Sequence, residues 1–490
     1  MNEQKKPPYG IIAILFTGAF VTIFTQTLLN IALPEIMADF GIKAATAQWL
    51  VTGYMLVNGI LIPASAYFIQ RFSNRSVFIA AMSLFSLGTL IAGISPTFEV
   101  LFAGRLLQAS GSALMMPLLM NVMLAAFPVE KRGTAMGYFG LVMIVAPAIG
   151  PTLSGYIVQN YDWRVLFFVV LPVALISLIL GIFKLKNLTF QNREISLDKI
   201  SLVLSSLGFG GILYGFSSAG SLGWSSPVVY ITVIVGVVSL ALFIRRQLQL
   251  DEPLLQVRIY KYPMFALSSV ISIALSMSLF SAMILMPIYV QTIKGISPID
   301  SGLLMLPGAL LMGMMSPITG RLFDKWGAKV LAIPGLSLVV ITTYLFSQLS
   351  LETSYWEIML IYSVRMLGIS LVMMPVMTNG LNTLPIKEYP HGTAINNTLQ
   401  QVAGAIGSAF LITLMNMRTD SAAADMLAGG TAPENIANLS MLEGINYSFF
   451  ISTFIALTAL ILSLFIKKPQ RPVTEEEKDA VYTRKEVSES

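Results

Sequence analysis

Apolar blocks of about 20 residues recur from Ile11 to Ile466, and each is long enough to cross a hydrocarbon core of about 30 Å. Inside lipid every backbone N–H and C=O must find its partner within the protein, so blocks of this length are helices. Charged residues make up only 11% of the chain and hydrophobic ones 55%. A soluble domain carries about 25% charge, so the usual conversion of length into soluble domains does not apply. The first block, Ile11 to Pro34, follows Lys5 and Lys6 as a secretion signal would. It is too long for a signal and is followed by many more spans, so it is read as a retained first helix.

The spans are predicted at residues 10–34, 46–69, 75–95, 98–126, 132–158, 163–185, 200–220, 226–246, 264–290, 301–323, 328–348, 356–383, 391–415 and 445–467. This is an all-α membrane protein with about 14 transmembrane helices. Loop charge orients it. The N-terminus, the loops after even-numbered spans and the C-terminal tail hold about 24 of the 30 Lys and Arg, among them Arg71, Arg75, Lys131, Arg132, Arg245, Arg246, Lys325 and Lys329. The opposite loops hold about four, Lys43, Arg164, Lys294 and Arg418. Positive residues stay inside, so both termini are expected in the cytoplasm, with the chain multi-pass in the cell membrane. Residues 416–444 read as a mobile outer loop, and residues 468–490 as a charged, disordered cytoplasmic tail.

The composition also excludes chemistry. There is no cysteine and one histidine, His391, so neither a thiol nucleophile nor a histidine-based metal centre is expected. No G-x-x-x-x-G-K-[ST] loop occurs, so nucleotide hydrolysis is not the energy source. An intramembrane protease or acyltransferase would need paired acids or a metal set within the spans, and no such set is visible. No cofactor is expected. The net charge of +5 is spread between spans, not gathered in a nucleic-acid patch.

The chain repeats itself. Ala66 to Arg75, between spans 2 and 3, matches Gly320 to Lys329, between spans 10 and 11, 254 positions later. Arg105 in span 4 has a counterpart in Arg365, and Gly133-Thr134-Ala135 recurs as Gly392-Thr393-Ala394, at offsets of 260 and 259. The predicted organisation is an N-terminal six-helix bundle (1–190), a two-helix insert with linkers (191–263), a C-terminal six-helix bundle (264–467) and the tail. Parallel repeats of this kind build rocking transporters that bind substrate between their halves.

Gly320 to Lys329, with Asp324, Lys325 and Gly327, resembles the loop signature of the major facilitator superfamily. Its glycines permit a tight turn and close helix approach, and Asp324 can cap the next helix or pair across the bundle interface. In span 5, Gly150-Pro151 and Ser154-Gly155, preceded by Gly140 and Ala146-Pro147, are similar to the antiporter motif of the same superfamily. Small residues there allow close packing, and packing alone is the plainer explanation. Asp162-Trp163-Arg164, Pro287, Tyr289, Gln291, Gly302 and Pro307 resemble the fourteen-helix branch, the drug:proton antiporters of the EmrB/QacA type, and within it the lincomycin-resistance transporters of Gram-positive bacteria. The resemblance covers about residues 10–467 and implies the major facilitator fold, two six-helix bundles plus two inserted helices, and proton-coupled export of drug-like amphipaths by a monomer; the alternative, which the sequence does not separate, is a dedicated exporter or facilitator of one endogenous lipid, peptide or metabolite without proton coupling.

Two departures stand out. Ala66, Gln70 and Ser73 replace the glycine, aspartate and glycine usual in the first-half loop, so that latch should be weaker or built differently. Thr25, in Thr25-Gln26-Thr27-Leu28-Leu29-Asn30, stands where many relatives have an aspartate implicated in cation handling. Away from the span ends, only Arg105 and Arg365 place a charge inside the membrane, and no carboxylate lies at mid-depth. An intramembrane arginine costs about 2.5–3.5 kcal/mol on insertion scales, so it faces a partner or a cavity. Arg105 is expected to meet Gln26, Asn30 or carbonyls of the first helix, either as a structural tie or as part of a relay. Arginine does not deprotonate, so a carboxylate must carry the proton. Glu99, six residues earlier, is the choice over Glu35, Asp39 and Glu357, although that spacing is not a same-face contact. Asn58 and Gln108, with Tyr54, Tyr289, Tyr362 and Gln401, could line the path, and the 27 methionines offer an adaptable surface. Two arginines without an acid favour neutral, zwitterionic or weakly anionic substrates.

Overall fold

The computed structural model describes residues 9–42, 44–47, 49–128, 131–187, 191, 197–429 and 433–468. The long helices are α1 (Tyr9–Phe40), α2 (Trp49–Arg71), α3 (Asn74–Gly93), α4 (Phe98–Ala126), α5 (Arg132–Asn160), α6 (Val165–Lys184), α7 (Lys199–Leu222), α8 (Pro227–Gln249), α9 (Pro263–Ile288), α10 (Pro298–Trp326), α11 (Ala328–Phe346), α12 (Tyr355–Leu381), α13 (Tyr389–Ala428) and α14 (Pro433–Ser463). Among the described residues thirteen are long and apolar enough to cross a membrane. The remaining one, α5, is itself 29 residues long.

Local chemistry sets the ends. Ser73, Asp198, Ser297 and Ser354 cap the N-termini of α3, α7, α10 and α12 with side-chain oxygens that accept from backbone N–H groups. Gly327, at φ 80°, closes α10 and opens α11 in one step, a backbone conformation that a side chain resists. Prolines 63, 117, 172, 307, 317, 334 and 375 lie inside helices. Spans tolerate this because packed neighbours re-satisfy the freed carbonyls.

The packing repeats as the sequence does. In the first half α1 packs on α5 and α6, α3 on α4 and α6, and α2 on α4. In the second half α9 packs on α13 and α14, α11 on α12 and α14, and α10 on α12. Between halves, α5 lies along α10 and α2 along α13. The second half keeps its own apolar core. The core of the first half runs on through the seam into Met377, Leu381, Leu384 and Tyr389.

The insert leans on both halves, with α7 against α2 and α13. Trp49 stacks on Tyr214 at 5.4 Å, and the Trp224 indole donates to the Thr413 hydroxyl at 2.5 Å. Arg246 grips Asp198 at 2.6 Å and pins α8 to the start of α7.

Two sequence expectations need correction. The outer segment 416–444 is not a loop: α13 runs 40 residues to Ala428, and α14 begins at Pro433. Arg418 and Glu443 pair at 3.0 Å between the two helices. Its alanine-rich stretch (Ala422, Ala423, Ala424) favours helix, and low hydropathy was mistaken for irregularity. Similarly, α1 passes Pro34 and ends only at Phe40. The tail beyond residue 468 lies outside the described residues.

Candidate functional site

The named hydrogen bonds between the two halves gather at one end of the molecule, where the α2–α3, α4–α5, α10–α11 and α12–α13 turns carry Arg71, Lys131, Lys325 and Lys387. This is the basic end. The first few N–H groups of a helix have no partner inside it and carry partial positive charge. Asp324, near the end of α10, supplies what α5 lacks. Its carboxylate accepts from the backbone N–H groups of Gly133 and Thr134, both at 2.8 Å, and from the Thr134 hydroxyl at 2.6 Å. Asp324 therefore caps a helix as expected, but it caps α5 across the seam and not the adjacent α11.

Two glycines make that approach possible. A Cβ on Gly320 would run into the Gly133 carbonyl, and one on Gly133 would run into Phe323, Asp324 and the Gly320 carbonyl. One turn further on, the Ser316 hydroxyl donates to the Gly137 carbonyl at 2.8 Å. Beside them Arg132, 4% exposed, donates to Asn382 at 3.1 Å and to the Tyr389 hydroxyl, and lies over the Tyr389 ring at 4.8 Å.

The repeat-related seam is built from different chemistry. Gln70 occupies the position equivalent to Asp324, and it meets His391 at 2.9 Å. Gln70 also donates its amide to the Ala66 carbonyl at 3.2 Å, which orients the NH₂ group toward the histidine. The imidazole Nε2 is then the acceptor, and the ring proton sits on Nδ1. Arg75 does not cross the seam. It donates to the Ile182 carbonyl at 2.7 Å, in the last turn of α6. Lys325 and Lys329 are exposed at the α10–α11 turn, and Arg71 lies 6.0 Å from the Tyr67 ring centre.

The intramembrane arginines are fully buried ties within each half. Arg105 donates to Gln108 at 2.5 Å, Gln108 donates to Thr89 on α3 at 2.7 Å, and the guanidinium lies 4.3 Å from the Tyr54 ring centre on α2. Arg365 donates to Thr343 on α11 and to the carbonyl and hydroxyl of Ser278 on α9, both at 2.9 Å. Each therefore reaches a threonine of the preceding helix, Arg365 directly and Arg105 through Gln108. The Nε of each is buried without a hydrogen-bond partner.

The expected tie from Arg105 to the first helix is thus replaced by ties to α2 and α3, because Gln108 is one turn away on the same face. Gln26 is half-buried, and the Asn30 side chain lies outside the described residues. Between Thr25 and Arg105 there is a cavity of about 10 Å³, room for about one water. Glu99 is exposed in the first turn of α4, about 9 Å along the axis from Arg105 at 1.5 Å per residue, so the two are not in contact. Among the described residues no Asp or Glu is buried.

Asn58 is 4% exposed, and its Oδ1 has no partner. Gly150 faces Thr27, so α5 can close on α1, and the Ser154 hydroxyl reaches the Leu28 carbonyl at 2.6 Å. Gly155 faces open space, and the Pro151 side chain lies outside the described residues. Asp162-Trp163-Arg164 ties down the far end of α1: Arg164 pairs with Asp39 at 2.9 Å, and the Trp163 indole donates to the same carboxylate at 3.2 Å.

Sequence reasoning gives Arg132 and His391 no role at the site. The repeat held the signal for them. If Asp324 meets Gly133 and Thr134, its equivalent Gln70 must meet the neighbourhood of Gly392 and Thr393, where His391 sits.

Two repeated helical halves, closed on each other at one end and tied internally by buried arginines, are the build of a multi-pass membrane transport protein. Residues 15–408 match the family described as the Major Facilitator Superfamily, and the chain belongs to it. It is 46% identical to the MFS-type transporter YcnB of Bacillus subtilis, over 97% of this chain and 98% of that one. It is 44% identical to the lincomycin resistance protein LmrB of Listeria monocytogenes, over 95% and 98%. In three dimensions it resembles the proton:xylose symporter XylE at a TM-score of 0.65 and 13% identity, covering 98% of this chain and all of the other.

Proposed function

We propose that this chain is a secondary exporter of drug-like amphipathic compounds, antibiotics among them, that works by alternating access. The observation that carries this reading is the Asp324 clasp on α5. It joins two repeat halves at one end only, through bonds that can break as a unit. The similarity to lincomycin and multidrug resistance proteins supports export as the direction. In this reading the moving bodies are residues 1–190 and 264–467, the insert 191–263 rides on both, and the basic end faces the cytoplasm of the cell. The protein works as a monomer in the plasma membrane. Gln26 and Asn58 face the path, while Arg105, Gln108 and Arg365 hold its walls. The absence of buried acids among the described residues favours neutral, zwitterionic or weakly anionic substrates.

Proton antiport is the coupling that the family implies. One observation favours a second reading, facilitated export without protons: Thr25 beside Arg105 leaves a small cavity, and among the described residues no carboxylate lines it. The test is purified protein in liposomes that hold a pH dye, challenged with lincosamides and unrelated amphipaths. Substrate-dependent proton movement establishes antiport. Flux without it, with proton movement appearing in Thr25→Asp, establishes the facilitator. No flux of any panel compound overturns both.

A further inference from the structure

A pocket of about 200 Å³ opens where three parts of the chain meet at the basic end. Its walls are the end of α2 (Tyr67, Gln70), the linker between α8 and α9 (Asp251 to Leu254, Gln256) and the turn into α13 (Lys387, Glu388, His391). It therefore lies at the weaker, Gln70–His391 seam, and opening the basic end dismantles it.

The walls are fixed. Gln247 accepts from the Leu255 N–H at 3.1 Å, Arg258 donates to the Leu248 carbonyl at 2.7 Å, and Leu254 and Leu255 are buried. Yet two wall side chains each hold a buried polar atom with no hydrogen-bond partner, Gln256 Oε1 and Glu388 Oε2, while the His391 ring is hydrogen-bonded to the Leu254 backbone. The His391 side chain is 8% exposed. Polar atoms buried in folded proteins are nearly always paired, and these two open on one pocket.

The chemistry of that guest follows from the atoms. Gln256 Oε1 and Glu388 Oε2 only accept, so they call for N–H donors. His391 Nδ1 carries the ring proton, because Nε2 accepts from Gln70, and the Leu254 backbone meets the ring. Asp251 and Glu252 add two carboxylates to the wall, against one wall cation, Lys387, with Lys261 near Glu388 and Arg71 at Tyr67. No group of three acidic or imidazole side chains among the described residues is arranged to hold a metal ion. We propose that this pocket binds a small organic cation that carries an ammonium group. The proposal goes beyond the exporter reading.

Burial raises the Glu388 carboxyl above the ordinary carboxylate range, with Lys261 opposing. The carboxyl must ionise to receive an ammonium, so affinity should rise as pH climbs through that raised range. Asp251, Glu252, Lys387, His391, Tyr67 and Arg71 share the surroundings and shift the midpoint.

The experiment is calorimetric titration of full-length protein in nanodiscs with ethanolamine, beside glycolate and Mg²⁺ as contrasts. Saturable ethanolamine binding, weakened about tenfold or more in both Glu388→Gln and Gln256→Leu and with its pH dependence flattened in Glu388→Gln, supports the site. The two variants alter different wall segments, so shared misfolding is checked by gel filtration of each. Absent binding, binding unchanged in both variants, or a preference for glycolate or Mg²⁺ overturns it. None of these outcomes depends on whether the protein exports drugs.

Discussion

The two seams occupy equivalent places in the repeat and are closed by unequal means. At α5–α10 an anion faces a helix N-terminus, three hydrogen bonds converge on one carboxylate, and facing glycines bring the backbones together. At α2–α13 a neutral amide meets a neutral imidazole through one bond. Ala66 stands where Gly320 stands in the other copy, and a Cβ on Gly392 would meet Leu381 and Leu384 of its own half and not the opposite one. The difference teaches where the closing energy lies. Hydrogen bonds to charged groups contribute about 1.5–3 kcal/mol and neutral ones about 0.5–1.5, so the α5–α10 seam is the stronger by a wide margin.

The largest effect should come from Asp324→Ala. It leaves the first N–H groups of α5 open and should shift the closed-to-open ratio of the basic end about 100-fold, equivalent to about 2.7 kcal/mol. Because the chain lacks cysteine, spin labels at Lys131→Cys and Lys325→Cys report that distance directly. An unchanged distance distribution would remove the clasp from the mechanism. Next, Gly320→Ala should separate α5 from α10 even with Asp324 intact and cut export about tenfold. The reciprocal Ala66→Gly should leave export near wild type, since no backbone waits to close there.

A smaller loss, about two- to tenfold in the same distance measurement, is expected from Gln70→Ala or His391→Ala. If either matches Asp324→Ala, the seams are equal and the comparison fails. The ion pair of the insert lies outside both seams and serves as the control. Arg246 holds the Asp198 carboxyl down to about 2. A depressed carboxylate contributes stability above its unfolded value of about 3.9 and loses it as pH falls toward about 2. Asp198→Asn should therefore flatten the thermal stability profile between about pH 4 and 2, leaving seam distances unchanged. Arg418→Ala, which breaks an exposed pair, should alter stability by less than about 1 kcal/mol.

Hydropathy and loop charge made most of the fold legible, because a bilayer fixes helix length and leaves few alternatives. The α4 span, Phe98–Ala126, falls where the apolar run does. What failed was where the bilayer no longer dictates. Beyond the apolar run α13 continues through polar residues to Ala428, and nothing in hydropathy distinguishes a polar helix from a loop. The site was half legible. Asp324 was visible from its motif, yet its partner was not, because a backbone N–H has no residue type to recognise. Arg105 was visible as a buried charge, and its partner was misplaced because helix numbering gives depth but not the direction a face points.

The length of α13 has a mechanical consequence. Forty residues span about 60 Å at 1.5 Å per residue, and the helix starts at the Gln70–His391 seam. It is thus a lever pivoted at its short end, with α14 braced to it through Arg418 and Glu443. Each degree of tilt at the pivot sweeps the Ala428 tip through about 1 Å, given an arm of about 60 Å. Rearrangements too slight to resolve at the base are thereby magnified at the opposite extremity, which makes that tip a natural gauge for the whole cycle.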